Sequence, residues 1–426
     1  MIIIVFMALI IAGIYKSYQE GFTSTSTSTT TAITSYKNSS AYGTQLSLLG
    51  SMYDTNSNGK QSVIDELANG NISVQMTPVQ QCLVNFFCLG CRFTGYMGPF
   101  SNGFFDADVA TRYACSAGCR VFVLEIDYTD GCVGPDNQPI YFPKLAIRDI
   151  QGRNVVRGDS YQPQCNTLAN SNIQDVCTAI NTYAFAHSNP GANDPVIIVI
   201  YLLRTPPINK LDYMSNIAKT LNPLIPRHID NIISGGTFTR QKQEGKLLTN
   251  PITDYQGRVL FFSNADTTPF RDAFGYAPNE DLDYLVNLRL TYKQSKLGST
   301  CSSAGGSYGL LEPAEDYLVI PPDQADTVAS DTKLKWTICL SQDPSVPVSE
   351  TTYTSITGTY GVHCVPIQLW DTNNSFMFTE NTFQTYSFIP KPVPLQYVKP
   401  PIAVPAQPSP QTNANGGSLR QPVIQG

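Results

Sequence analysis

Two carboxylates two residues apart, Glu125 and Asp127, lie inside the apolar run VFVLEIDY (121–128). Alternation along a strand puts both side chains on one face. Paired acids of this kind can hold a divalent cation or share acid–base work. Two carboxylates alone make a poor hard-cation site, because calcium takes about six to eight oxygens. The pair therefore reads either as a residual cation site or as a hydrogen-bonded polar pair at the end of a sheet. The three histidines are His187, His228 and His363. His187 closes a helical stretch, where a cation meets the negative end of the helix dipole. His228 follows Arg227 and is expected to face solvent. His363 adjoins Cys364, but strand neighbours point to opposite faces, so the two do not read as a nucleophile and its base.

Eleven cysteines are many for a reducing compartment. Six of them, Cys82, Cys88, Cys91, Cys115, Cys119 and Cys132, fall in one cluster. The spacings Cys88–x2–Cys91 and Cys115–x3–Cys119 are those of zinc ligands. The apolar residues beside them (Phe86 and Phe87, Val121 to Val123) suit strands better than zinc knuckles. Disulfides, a metal and buried thiols all remain open from the sequence, and an odd total leaves at least one thiol unpaired. The run GSTCSSAGGSYG (298–309) is glycine-rich but lacks the lysine and spacing of a phosphate loop. Trp336 and Trp370 read as core or interface residues.

The elements that must position these groups alternate. Short apolar runs suited to buried strands occur at 82–89, 121–128, 195–203, 258–265 and 362–370. Amphipathic stretches at 104–118, 172–187 and 211–225 lie between them; the first ends on Gly118 and the last near Pro226. Strand–helix alternation implies an α/β fold with a parallel sheet and helices outside it. A (β/α)8 barrel of the TIM type fits as well as a doubly wound sheet.

The ends have a different character. Residues 1–15 (MIIIVFMALIIAGIY) carry no charge. As helix they would rise about 22 Å, which a snorkelling Lys16 extends by a turn. This predicts an N-terminal hydrophobic anchor over 1–18; a signal peptide and a segment buried against protein are the alternatives. Lys16 and Lys37 after it favour a body on the cytosolic side. A Ser/Thr tract at 23–35 reads as spacer, and the proline-dense sequence from Pro390 reads as an extended arm. Charged residues are 14% of the chain, against roughly 25% in a typical soluble domain. The net charge of −6 carries no basic run, which argues against nucleic acid as a partner.

The body resembles the catalytic domain of phosphoinositide-specific phospholipases C. AGCRVFVLEIDYTDG (117–131) looks like that family's Gly-Cys-Arg strand leading to Glu-Leu-Asp and Asp-Gly. QPIYF (138–142), DPVIIVIYLL (194–203), TDYQGRVLFF (253–262), YGVHCVPIQLWDTN (360–373) and FIPKP (388–392) are similar to later motifs, in the same order. The resemblance implies an irregular TIM barrel in two halves. It divides the chain into an anchor (1–18), spacer and lead-in (19–75), first half-barrel (76–205), linker (206–257), second half-barrel (258–390) and Pro-rich tail (391–426).

The resemblance also implies two histidines, calcium carboxylates and phosphate-binding cations, and here the chain departs from it. RFTGYMG (92–98) stands where the first histidine belongs, and Phe142, Pro143 and Lys144 where the second does. The third carboxylate falls at Tyr201, the lysines near Phe262 and Asn264, and the substrate arginine near Leu318. Glu125 and Asp127 are what is left of the metal set. The expectation is a pseudoenzyme with no catalytic residues, no cofactor beyond a residual Ca2+, and no small-molecule substrate. It would be tethered to a bilayer through residues 1–18 and to other structural proteins through its tails. Its overall character resembles a minor capsid protein of a large DNA virus, lying in the virion between inner membrane and shell. The alternatives are a non-catalytic lipid- or phosphoinositide-binding module and an active phosphodiesterase.

Overall fold

A computed structural model describes residues 36–53, 60–70, 76–77, 80–134, 136–161, 165, 172–229, 246–273, 275, 277–291, 308–380 and 382–399. Eight parallel strands form the centre: β1 (Gly90–Arg92), β2 (Val121–Tyr128), β3 (Val196–Leu202), β4 (Val259–Ser263), β5 (Val286–Thr291), β6 (Gly309–Pro313), β7 (Trp336–Leu340) and β8 (Ile367–Gln368). Their order is β7-β6-β5-β4-β3-β2-β1-β8. The two ends of that order meet through a parallel bridge between Ile338 and Cys364, where the Cys339 amide donates to the Cys364 carbonyl at 3.0 Å. The sheet thus closes into a (β/α)8-type barrel.

The strand sequences explain the burial. Every residue of β2, β3 and β4 is buried, and these runs are rich in Val, Ile and Phe, as strands covered on both faces must be. Alternate residues serve two cores. Val121, Val123, Ile197, Val199, Leu260, Phe262 and Ile338 fill the barrel. Phe122, Leu124, Ile198, Ile200 and Phe261 face the surrounding helices.

Helix α1 (Ser40–Tyr53) and α2 (Val63–Asn69) lie within the predicted spacer and lead-in. Helix α3 (Ala107–Ala117) starts on Asp106, whose side chain accepts from the Val109 amide, and ends on Gly118 in the left-handed region at φ 95°. Helix α4 (Asn172–Ala184) stops before His187, and α5 (Lys210–Thr220) gives way to a 3-10 turn containing Pro223 and Pro226. Helix α5 packs against the body, so part of the predicted linker is barrel wall. Helices α6 (Ala325–Leu334) and α7 (Glu350–Tyr360) continue the wall.

At the N-terminal end of the strands, Phe86–Cys88 pairs antiparallel with Phe388–Pro390. Residues 391–399, assigned from sequence to the extended tail, continue that packing: Lys391 and Gln396 are buried. The cause is side-chain chemistry that proline content does not reveal, since Asn85 bonds Tyr397 through both its amide nitrogen and its oxygen. The remainder of the predicted arm and the predicted anchor over 1–18 lie outside the described residues. Among the described residues, no helix is long and apolar enough to cross a membrane.

Candidate functional site

Glu125 and Asp127 continue the inward row begun by Val121 and Val123, and so come to the C-terminal mouth of the barrel. Both are buried, and both are occupied by cations of the chain itself. Arg92, the last residue of β1, places Nε 2.5 Å from Glu125 Oε1. The same guanidinium donates through Nη1 to the Ser341 carbonyl at 2.9 Å, and the Ser341 hydroxyl donates to Glu315 Oε1 at 3.0 Å. A polar chain therefore runs from β2 through β1 to the loop after β7 and the short helix Ala314–Leu318 after β6.

Asp127 is held more fully. Its Oδ1 accepts from the Tyr128 amide at 2.7 Å and from Arg204 Nε at 2.6 Å, while Arg148 pairs with Oδ2. Arg204 also bonds Asp130 at 2.8 Å and lies 3.9 Å above the Tyr128 ring. Lys144 stands opposite Asp127 in the antiparallel register. Burial lowers its pKa, and Asp127 pulls it partly back. Charge-assisted pairs of this geometry are strong and directional. A calcium ion seeking about six to eight oxygens would have to displace guanidinium groups from both carboxylates, so this donor set does not fit one. Among the described residues, no cluster of three or more His, Cys, Asp or Glu could hold a metal ion.

The positions where the resemblance implied further ligands hold other groups. Tyr201 is buried beside Glu125 in the β2–β3 register. Phe262 packs edge-on against Trp336 with ring centres 4.8 Å apart. Asn264 clamps the end of β3, accepting from the Leu202 amide at 2.7 Å and donating to its carbonyl at 3.0 Å. Leu318 is exposed. In RFTGYMG, Phe93 stacks on Trp370 and on the Arg92 guanidinium. One small cleft opens beside the mouth between β7 and β8, with Arg92, Ser341 and Gln368 among its walls.

The histidines stand away from the mouth. His187 is exposed in a turn beyond α4. His228, expected in solvent, is buried instead: its Nε2 lies 2.8 Å from the Leu285 carbonyl, and its ring faces Phe261. The parallel bridge from His228 to Val259 draws it under the sheet. His363 is buried at the opposite end of the barrel, while Cys364 belongs to the barrel interior.

Of the clustered cysteines only Cys132 is bonded, and to Cys165, which lies outside the cluster. Cys88, Cys91, Cys115 and Cys119 are buried free thiols, and Cys82 is buried as well, so a disulfide network within the cluster is not what the fold contains. Helix α3 and strands β1 and β2 bury these sulfurs in apolar packing. Burial pushes Cys88 and Cys115 up to about 12 and raises Cys82 and Cys119. Thiols in that state are poor nucleophiles and poor metal ligands.

Sequence reasoning found the two carboxylates but missed the three arginines that neutralise them. Arg92 and Arg204 lie 33 and 77 positions from their partners. No local pattern links them; only the topology of a parallel barrel brings strand ends together.

Comparison with solved structures returns phosphoinositide-specific phospholipases C. L. pealei PLC21 superposes with a TM-score of 0.46 at 14% identity, covering 74% of this chain and 38% of that one. The S. officinalis PLC21 gives 0.45 at 12%, covering 76% and 39%. A calcium-dependent phosphoinositol-specific phospholipase C from Pseudomonas sp. gives 0.40 at 11%, covering 74% and 98%. This chain therefore spans about two fifths of the length of either PLC21. No protein-family profile and no curated protein sequence matches it. At these identities the likeness concerns architecture alone.

Proposed function

We propose that this chain is a non-catalytic phospholipase-C-like barrel that acts as a membrane-anchored structural protein, used for its shape. The observation that carries the reading is the occupation of the mouth. Both inward carboxylates are neutralised by Arg92, Arg148 and Arg204, and none of the three histidines is there. Paired in this way, Glu125 and Asp127 are not free to hold the cation or to take the proton that attack by a hydroxyl would need.

The chain path supports a bridging role. Tyr36 meets the Phe105 carbonyl and Lys37 pairs with Asp106 at the start of α3, which is the mouth end. Tyr397 is tied to Asn85, which precedes β1 at the opposite end. The apolar N-terminal sequence and the proline-rich C-terminal sequence thus leave from opposite ends of the barrel. A protein held at a bilayer by one and at a protein shell by the other would span the gap between them. The setting we propose is a virion whose capsid encloses a membrane.

The test is phosphoinositide turnover by the full chain with and without millimolar calcium, with a Glu125→Gln variant in parallel. Turnover at background in all samples is expected. Calcium-dependent turnover lost in the variant would defeat the reading. A second reading, a phosphoinositide-binding module, draws on Arg148 and Arg204, whose side chains are 28% and 33% exposed at the mouth. Vesicle binding that soluble inositol phosphate competes away would favour it over the structural role.

A further inference from the structure

Beneath the barrel, two basic nitrogens share a fully buried site. Lys391 Nζ lies 2.8 Å from His363 Nε2 and 3.2 Å from the Thr332 carbonyl. The Thr337 amide donates to His363 Nδ1 at 3.0 Å, and Nε2 lies 2.8 Å from the Val84 carbonyl. A backbone N–H can only donate, so Nδ1 uses its lone pair and the neutral ring carries its proton on Nε2. An ammonium at Lys391 would then set one donor against another at hydrogen-bond distance. The geometry requires a neutral amine.

That amine fastens a strap. The Lys391 amide donates to the Asn85 carbonyl at 2.8 Å, and Gln396 Nε2 donates to the Lys391 carbonyl at 2.6 Å. Gln80 Nε2 donates to Gln396 Oε1 at 2.9 Å, and the Tyr397 amide donates to Asn85 Oδ1 at 2.6 Å. We propose that Lys391 and His363 form a proton-operated latch, which holds residues 388–397 under the barrel while both are neutral and releases them when Lys391 takes up a proton.

Of the groups that face the amine, Cys88 alone pulls against burial, and it does not overcome it. Those groups are His363 from the segment before β8, Cys88 from the strand Phe86–Cys88, whose thiol burial pushes up to about 12, and Lys333 from α6, which disfavours charge on Lys391. The Phe87 ring lies 5.9 Å away. Burial drives both Lys391 and His363 well below their ordinary values; Lys391 lowers His363 further, while for Lys391 Cys88 pulls partly back and Lys333 lowers it again. A base whose docked pKa is depressed is docked most stably at high pH. Its docking weakens as pH falls below the free amine's value near 10.4, by about tenfold per pH unit, until the docked value is reached. His363 adds a loss of the same sign below about 6.5. Release would uncover the base of the barrel and free the point from which the proline-rich sequence departs. The latch does not depend on the structural role proposed above.

The test is hydrogen exchange of the full chain from about pH 9 to about pH 7, above the range where free histidine titrates, with rates corrected for intrinsic pH dependence. Peptides covering 386–397 should lose at least about tenfold in protection while peptides covering β2 keep theirs. In Lys391→Met the strap should stay protected without that pH dependence. A flat wild-type profile overturns the latch without any variant. So does wild-type pH dependence retained in Lys391→Met, or parallel loss in strap and β2.

Discussion

Arg92 Nε stands 2.5 Å from Glu125 Oε1, and neither side chain is accessible to solvent to any useful degree. The pair links the first two strands of the closed sheet at their C-terminal ends. Taking both charges out of water costs several kcal/mol, which the contact and the further bond to Ser341 must offset. Its worth is therefore asymmetric: removing one partner strands the other.

Arg92→Met should destabilise the protein by about 3–5 kcal/mol, because Glu125 is left as a buried charge without its cation. Glu125→Leu alone should cost a comparable amount. The double variant Arg92→Met/Glu125→Leu should recover most of the loss. Urea unfolding of the four proteins measures the cycle. Additive losses in the double variant would show that the two side chains act independently.

Asp127 has two arginines where Glu125 has one. Removing either should leave the carboxylate neutralised, so Arg148→Ala and Arg204→Ala should each cost only about 1–2 kcal/mol, the range for breaking a hydrogen bond to a charged group. Asp127→Asn instead leaves two guanidiniums facing each other with the exposed Asp130, paired to Arg204, as their counter-charge, and should cost more than either. An Asp127→Asn protein as stable as Arg148→Ala would mean that the arginines do not converge on this carboxylate in solution.

These networks also mark where sequence reasoning stops. The runs around 121–128, 195–203 and 258–265 were legible as buried strands because continuous Val, Ile and Phe suit a strand covered on both faces. GLLEP (309–313) and WTICL (336–340) were not, being only five residues long, one of them with a glutamate and a proline. The run 362–370 shrank to Ile367–Gln368 because Pro366 has no amide for a ladder. At the mouth, period-two alternation sufficed to align Glu125 with Asp127. Their arginines arrive from other strand ends, a fact of topology. His363 illustrates the same limit: its partner Lys391 comes from a proline-rich stretch that composition assigns to an extended arm.

Asp194 caps α2 from a distant part of the chain, accepting from the Ser62 hydroxyl at 2.8 Å and the Ile64 amide at 3.2 Å. Burial pushes it from 3.8 up to about 6, against the pull of Arg120 and these hydrogen bonds. With the folded value above the unfolded one, the folded chain takes up a proton first as pH falls through about 6. The contribution of Asp194 therefore rises with acidification and levels off below 3.8. Asp194→Asn removes this dependence. The stability difference between wild type and variant should shift toward wild type by up to about 3 kcal/mol from pH 7 to pH 4, read from urea midpoints at both. A constant difference would place the carboxyl in a more solvated setting than the fold gives it.

The thiols supply a test of whether the core is as closed as its packing implies. Cys82, Cys88, Cys91, Cys115, Cys119, Cys177, Cys339 and Cys364 are all buried, and burial raises Cys177, Cys339 and Cys364 as it does Cys88 and Cys115. A buried thiol meets an aromatic disulfide reagent only when the chain opens, so these eight should label at the rate of opening and become fully reactive only in denaturant. Cys132–Cys165 closes a loop with a sequence separation of 33, and Cys165→Ser should cost about 2–4 kcal/mol on loop-closure grounds. That variant should speed labelling of the thiols whose exposure requires global unfolding and leave unchanged those that open locally. Labelling of several core thiols at the rate of an unstructured peptide would contradict the packing of α3 and α4 against β1 and β2.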